Sequence, residues 1–253
     1  AALRCKAVPD GDTWILNGTK MWVTNGVRAS IVMLLARTPD DRITCFIVEK
    51  EPGSSFEGIS VSKTIPKLGY KGLETVEMAY VDHRVPDANM LGGADGMGNG
   101  LRYALSALEL GRINIAARAV GVGQAAFDAA MRYAQERETF GVPIFEHQAI
   151  QFKLAEMATK LQAARLMTYD AADKYDRGDR IDLEAGMAKL FASEAAFEIA
   201  SEALRIHGGN GFTQEYDVER YFRDTPLMII GEGTSEVQKM VIARKLLERH
   251  AID

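Results

Sequence analysis

The stretch IIGEGTSEVQ, residues 229 to 238, sets one carboxylate, Glu232, between two glycines, behind an apolar run and just ahead of a helical pattern. Glycines free the backbone and remove side-chain bulk, so a ligand can come close to whatever lies between them. Such a setting suits a presented general base, which must reach the proton it abstracts within hydrogen-bonding distance. An acidic residue ahead of a helix also has a plainer use, because it complements the positive end of the helix dipole. That use explains the charge but not the flanking glycines.

Three other stretches combine residue types that could grip a ligand. In RETFG, residues 137 to 141, a guanidinium, a hydroxyl and an aromatic ring (Arg137, Thr139, Phe140) can hold a phosphate and cover a flat ring. Arg137 can equally close the preceding helix by bonding its last carbonyls. HGGNGF, residues 207 to 212, ends a helical pattern, for which one glycine suffices as a cap. Gly208, Gly209 and Gly211 together point to close approach by another backbone or a cofactor. In KMWVTNG, residues 20 to 26, strand alternation puts Trp22 and Thr24 on one face. Such a pair packs in a core, or stacks on a ring and bonds its edge.

Two kinds of element must position these residues. Up to about Val85 the runs TWILNG, KMWVTNG, SIVMLLAR, ITCFIVEK and TVEMAYVD alternate with PDGD, TPDD and EPGSS, a pattern of short strands and turns. After Gly100 the apolar residues recur at three and four, prolines thin out, and long helices are expected. The expected spans are 101–122, 124–136, 146–177 and 183–207, a short helix over 218–223, and a last one over 235–249. In that last helix Val237, Met240, Val241 and Arg244 share one side, and Ser235 with Gln238 has capping-box spacing. The fold class is therefore α+β: a small antiparallel β-barrel or sandwich, then an antiparallel four-helix bundle. The expected domains are residues 1–93 and 94–253.

Composition narrows the function classes. A net charge of −5 without a long basic run leaves no footprint for nucleic-acid backbone, and the longest apolar stretch, ASIVMLLA, is too short for a membrane span. Cys5 and Cys45 lack metal-ligand or CxxC spacing and read as buried thiols, so neither a metal site nor a disulfide framework is expected. No targeting segment is visible, and the chain opens inside a strand-like run. Small molecules and proteins are the expected partners.

Taken in order, KMWVTNG, KLGYKGLETVEMAYVDHRVPDANMLG, RETFGVPIFEHQAIQ, HGGNGF and GEGTSEVQ resemble the acyl-CoA dehydrogenase family of flavoproteins over essentially the whole chain. The resemblance implies an N-terminal helical domain, a middle β-domain and a C-terminal four-helix bundle, with this chain beginning in the second. The helical domain and its TEP-containing loop would then lie outside it. It also implies α,β-dehydrogenation of an acyl-CoA thioester to a trans-2-enoyl-CoA. Glu232 would abstract the α-proton, and the β-hydrogen would leave as hydride to FAD. An electron-transfer flavoprotein would take the electrons, and the assembly would be a homotetramer built as a dimer of dimers. The implied compartment is the cytoplasm of a bacterium or the mitochondrial matrix of a eukaryote.

Site residues carry over position by position. Trp22 and Thr24 match residues against the flavin ring. Arg137, Thr139, His147, Gln148, Gly208 and Gly209 match contacts to the FAD of a neighbouring subunit, Phe140 matches a cofactor-binding position, and Thr234 and Glu236 match a segment near the cofactor. Glu109, Arg112, Gly233 and Arg244 match the substrate side. Some relatives carry the base at the position of Gly111, where this chain has no carboxylate. Gly231 stands where a tyrosine is common, opening room for a bulkier or branched acyl group, and Arg205 stands at a flavin contact where glutamine is common. The same fold also admits an acyl-CoA oxidase, or a non-catalytic partner subunit of a heteromeric dehydrogenase.

Overall fold

Turn residues divide the first part of the chain into seven strands: β1 (Lys6–Asp10), β2 (Thr13–Thr24), β3 (Ile31–Thr38), β4 (Arg42–Glu49), β5 (Ser55–Phe56), β6 (Ile59–Val61) and β7 (Thr75–Pro86). The structure is a computed structural model that describes residues 3–252. It divides into two compact units, one ending at Ala107 and one starting at Leu108. In the first unit the strands form one sheet of order β4-β3-β1-β2-β7-β6-β5. Its edge strands do not pair with each other among the described residues, so the sheet is not a closed barrel. Nor is it wholly antiparallel. The connection from β2 passes back beyond β1, and β3 joins β1 in parallel at Lys6 and Arg37.

TWILNG and KMWVTNG, expected as separate runs, are one twelve-residue strand, β2. Its pairing with β7 shifts between Leu16 and Gly18 and again between Lys20 and Val23. Such irregularities re-aim side chains. One face of the sheet buries Trp14, Leu16, Leu34, Phe46, Val48, Val76, Met78 and Tyr80. Cys5 and Cys45 are free and buried, and burial pushes both thiols up.

The second unit holds the bundle. Its helices are α1 (Gly100–Glu136, whose first turns belong to the first unit), α2 (Gln148–Asp176), α3 (Asp182–His207) and α6 (Ser235–Arg249), with the shorter α4 (Val218–Asp224) and α5 (Pro226–Ile230) before the last. The two helices expected over 101–136 are one, because Gly121 and Gly123 interrupt nothing. A glycine inside a helix costs about 1 kcal/mol against alanine. At Gly123 a Cβ would make ordinary contact with Leu161, Ile199 and Ala196, 3.5 to 3.8 Å away, so this turn of α1 faces α2 and α3. The core is rich in alanine, with Ala116 and Ala119 of α1 meeting Ala164 and Ala171 of α2 and Ala185, Ala188, Ala192 and Ala196 of α3. Small side chains let the helix axes come close.

The last helix has the expected ends, and the side that packs on α3 is not the one carrying Val237 and Met240. Val237 and Met240 are exposed, while Ser235 and Gln238 are buried and Ile242 packs against Gly186 of α3. Further along the same side, Lys245 and Arg249 reach the buried carboxylate of Asp182 at 3.3 and 2.9 Å. Polar partners on α3 therefore select the docked face over apolar content. The cap is also one residue earlier than the capping-box spacing suggests: Thr234 Oγ1 accepts from the backbone N–H of Val237, and Ser235 donates instead to Glu194 at 2.5 Å.

Candidate active site

Within the second unit, the loop from α5 to α6 presents Glu232. Its backbone is left-handed, φ 54°, which is uncommon for a residue with a side chain and costs on the order of 1 kcal/mol. Gly233 follows at φ 89°, and a Cβ there would lie 2.8 Å from Gln238 Nε2. The result lays the Glu232 carboxylate across α1 at Gly111, where an added Cβ would meet Oε2 at 2.7 Å and Cδ at 3.0 Å. Position 111 must therefore lack a side chain for this carboxylate to occupy its place. Next to it on α1, Arg112 is buried with its Nε unpaired. A buried guanidinium donor without a partner is costly unless an acceptor arrives.

Two residues here, Lys189 and Lys245, were not singled out from sequence, and a third, Gln238, was read only for its capping-box spacing. Lys189 of α3 is fully buried and its Nζ donates to the carbonyls of Ile229 and Gly233 at 3.1 and 2.8 Å. Burial holds its pKa down at about 8, against the pull of the Glu194 and Glu232 carboxylates. Gln238, also fully buried, donates from Nε2 to the carbonyls of Glu232 and Gly233 at 2.8 and 3.2 Å. A cleft of about 510 Å³ is lined by Glu109, Tyr175, Arg180, Asp182 and Lys245. Glu109 is thus beside Lys245, whereas Arg244 is largely exposed and lies 3.6 Å from Glu248.

A second group assembles around the turn between α1 and α2. Strands β8 (Glu138–Thr139) and β9 (Val142–Pro143) make a tiny hairpin whose tip, Phe140-Gly141, has both φ values positive, 55° and 82°. That geometry suits a two-residue hairpin turn and projects the Phe140 ring, which is 99% exposed. Thr139 Oγ1 lies 2.8 Å from His147 Nε2, fixing the hairpin to the turn ahead of α2. Arg137, Thr139, Gly208 and Gly209 line one cleft of about 370 Å³ with Tyr133, His207 and Asn210. A Cβ on Gly208 or Gly209 would meet nothing within 4 Å, so this backbone is open to approach. The buried ring of His207 stacks on Tyr133 with centroids 4.2 Å apart. Sequence spacing gave no sign of that stack.

The remaining candidates are more peripheral. Gln148 is exposed at the start of α2, Arg205 is exposed and paired with Glu202, and Glu236 is exposed in the first turn of α6, where a hydrogen bond from its own backbone and then one from Thr234 hold its carboxylate below the usual range. In the first unit Trp22 is 66% exposed at φ 64° and Thr24 is also exposed, while Val23 between them packs on the core. The core reading of Trp22 is thereby overturned, because the register shift turns its indole outward. The chain just beyond is fixed by Glu74, which accepts from the backbone N–H of Val27 and Arg28 at 2.9 Å each, and by buried Lys50, which donates to three carbonyls.

A mixed sheet followed by a helical bundle, with a carboxylate presented over a helix glycine and a glycine-open cleft, defines a class of two-domain α+β proteins with an enzyme-like site. The particular family follows from comparison. The family described as acyl-CoA dehydrogenase, C-terminal domain, matches residues 98–247, and the one described as acyl-CoA dehydrogenase, middle domain, matches residues 2–82. The chain belongs to the acyl-CoA dehydrogenase family. It is 45% identical to probable acyl-CoA dehydrogenase YngJ of Bacillus subtilis, covering 96% of this chain and 63% of that protein. It is 42% identical to short-chain specific acyl-CoA dehydrogenase, mitochondrial, of Rattus norvegicus, covering 95% and 58%. The solved butyryl-CoA dehydrogenase of Megasphaera elsdenii superposes with a TM-score of 0.90 at 37% identity, covering 97% of this chain and 63% of that one. A structure described as the electron transferring flavoprotein of Acidaminococcus fermentans superposes at 0.91 and 38% identity, covering 97% and 64%. This chain thus spans less than two thirds of the length of these relatives. Among the described residues no helix is long and apolar enough to cross a membrane.

Proposed function

We propose that the protein to which this chain belongs dehydrogenates an acyl-CoA thioester between Cα and Cβ, with Glu232 as the base that removes the α-proton. The observation that carries the reading is the Glu232 carboxylate, held in a strained backbone and laid across Gly111 of α1, where a side chain would collide with it. A thioester α-proton is weakly acidic, so a base must be fixed beside the reacting carbon rather than left to sample solvent. The unpaired Nε of Arg112 supplies a buried positive group close to that base, suited to an acceptor on the substrate. Glu109 lines a cleft with Lys245, whose ammonium is paired with Asp182 and Glu248, and Arg244 stands outside it.

The donor set fits FAD. Arg137 and Thr139, with the open backbone of Gly208 and Gly209, suit the phosphates and hydroxyls of a dinucleotide, and the projecting Phe140 ring suits a flat surface. Trp22 and Thr24, exposed side by side on β2, suit stacking and one hydrogen bond to the ring. When bound, FAD supplies the two-electron acceptor for the hydride. Exposure of Phe140 at a hairpin tip supports contact with another copy of the chain, as in a dimer of dimers, and the electron-transfer flavoprotein is the proposed onward acceptor.

The test is anaerobic. Purified full-length protein should be yellow, and a panel of acyl-CoA thioesters should bleach its flavin with formation of the trans-2-enoyl product. Admitting air should restore the colour slowly. Rapid recovery in air makes the protein an oxidase, and a colourless preparation makes it a partner subunit without its own flavin.

A further inference from the structure

Two fully buried polar side chains converge on the backbone around Glu232, and the chemistry proposed above uses neither as a reacting group. Lys189 Nζ donates to the carbonyls of Ile229 and Gly233, and Gln238 Nε2 to those of Glu232 and Gly233. The loop carbonyls on both sides of the base are thus tied to helices, one tie from α3 and one from α6. Gly231 N–H adds a bond to the Leu227 carbonyl at 2.7 Å.

Neither side chain is a cheap way to stabilise a fold. An ammonium removed from water is costly, and so is the Gln238 Oε1 acceptor, which is buried without a partner. Space is nevertheless kept for Gln238, since a Cβ on Gly233 would meet its Nε2 at 2.8 Å. What the two ties secure is a left-handed residue that would otherwise relax. Strain of that kind persists only where the surroundings over-determine it.

We propose that Lys189 and Gln238 are positioning residues, whose bonds to the carbonyls around position 232 lock the backbone that lays the Glu232 carboxylate across Gly111. The inference rests on the reading of Glu232 as the base. Ammonium and neutral amine both carry enough hydrogens for two bonds, so the tie from Lys189 survives its titration.

Lys189→Met and Gln238→Leu each remove one tie while keeping similar bulk. Hydrogen–deuterium exchange of the full-length protein reads the loop directly, and single-turnover flavin reduction reads the consequence. Either variant should speed exchange of amides 230–235 by at least tenfold and leave the rest of α3 unchanged. The reduction rate constant at saturating acyl-CoA should fall at least tenfold, with the acyl-CoA dissociation constant within threefold of wild type. A merely structural role predicts loss of flavin and weaker binding in step with lower thermal stability, and that pattern overturns the proposal. If Lys189→Met does not accumulate folded, Gln238→Leu decides alone. Glu232→Gln is run alongside. Near-normal reduction there removes the base and the positioning role with it, whereas normal rates in the two tie variants beside an inactive Glu232→Gln refute the ties alone.

Discussion

Gly111→Ala sets stability and activity against each other. An added Cβ would lie 2.7 Å from Glu232 Oε2 and 3.0 Å from Cδ. An ordinary contact needs about 3.4 Å, so the carboxylate must move by roughly 0.7 Å. The clash falls on the flexible end of a side chain, which can swing away without disturbing α1. The helix itself gains about 1 kcal/mol from replacing an interior glycine, a rise in Tm of about 2–4 °C for a chain of this size. Misplacing a catalytic group by about 1 Å costs up to ~100-fold in rate, close to 2.7 kcal/mol of barrier. Scanning calorimetry and stopped-flow flavin reduction should therefore move in opposite directions, with the melt raised and reduction slowed by ~10- to 100-fold. Reduction within twofold of wild type refutes the placement of the carboxylate over position 111. A lowered Tm refutes the packing argument.

Three further outcomes follow from the structure. Burial pushes the Asp182 carboxyl up, but bonds from Arg180, Arg249 and Lys245 outweigh it and hold the group at about 2. A depressed carboxylate stabilises above its unfolded pKa, so about 1–2 kcal/mol should be lost as pH falls from about 4 to about 2. Urea melts across that window should show the loss in wild type and not in Asp182→Asn; equal pH slopes contradict it. Trp22 is mostly exposed, so Trp22→Ala should change stability by less than about 1 kcal/mol while weakening FAD at least tenfold; unchanged cofactor affinity by titration removes Trp22 from the flavin site. Gly231 has extended-type backbone, φ −69° and ψ 155°, and a Cβ there meets only the Leu227 carbonyl, at 3.1 Å. Gly231→Tyr should fold and lower kcat/KM for branched acyl-CoA more than for straight chains; an equal effect on both shows that position 231 does not set acyl width.

The sequence made some of this legible and hid the rest for identifiable reasons. Periodicity located α3 and α6 almost to the residue, since long amphipathic patterns end at strong signals such as Gly208 and Gly233. Glycine misled within α1, where Gly121 and Gly123 look like breaks but lie inside one continuous helix. On α6 the docked side carries Lys245 and Arg249, which pair with Asp182 and Glu184 of α3, and hydrophobic content alone does not reveal that choice. At the site, Glu232 is visible through its flanking glycines. Lys189 is not, since a lone lysine in a helix reads as solvated and only the tertiary fold buries it. Trp22 was readable as an aromatic on a strand, but its exposure depends on a register shift that alternation cannot reveal.

The central claim is that the carboxylate at position 232 takes a proton from the substrate. Glu232→Gln keeps size and nearly all hydrogen-bonding geometry while removing the basic oxygen. Anaerobic single-turnover mixing of this variant with acyl-CoA should show full flavin content and a reduction rate lower by several orders of magnitude, on the scale set by general-base loss, roughly 10²–10⁴-fold. Bleaching at a near-wild-type rate contradicts the account.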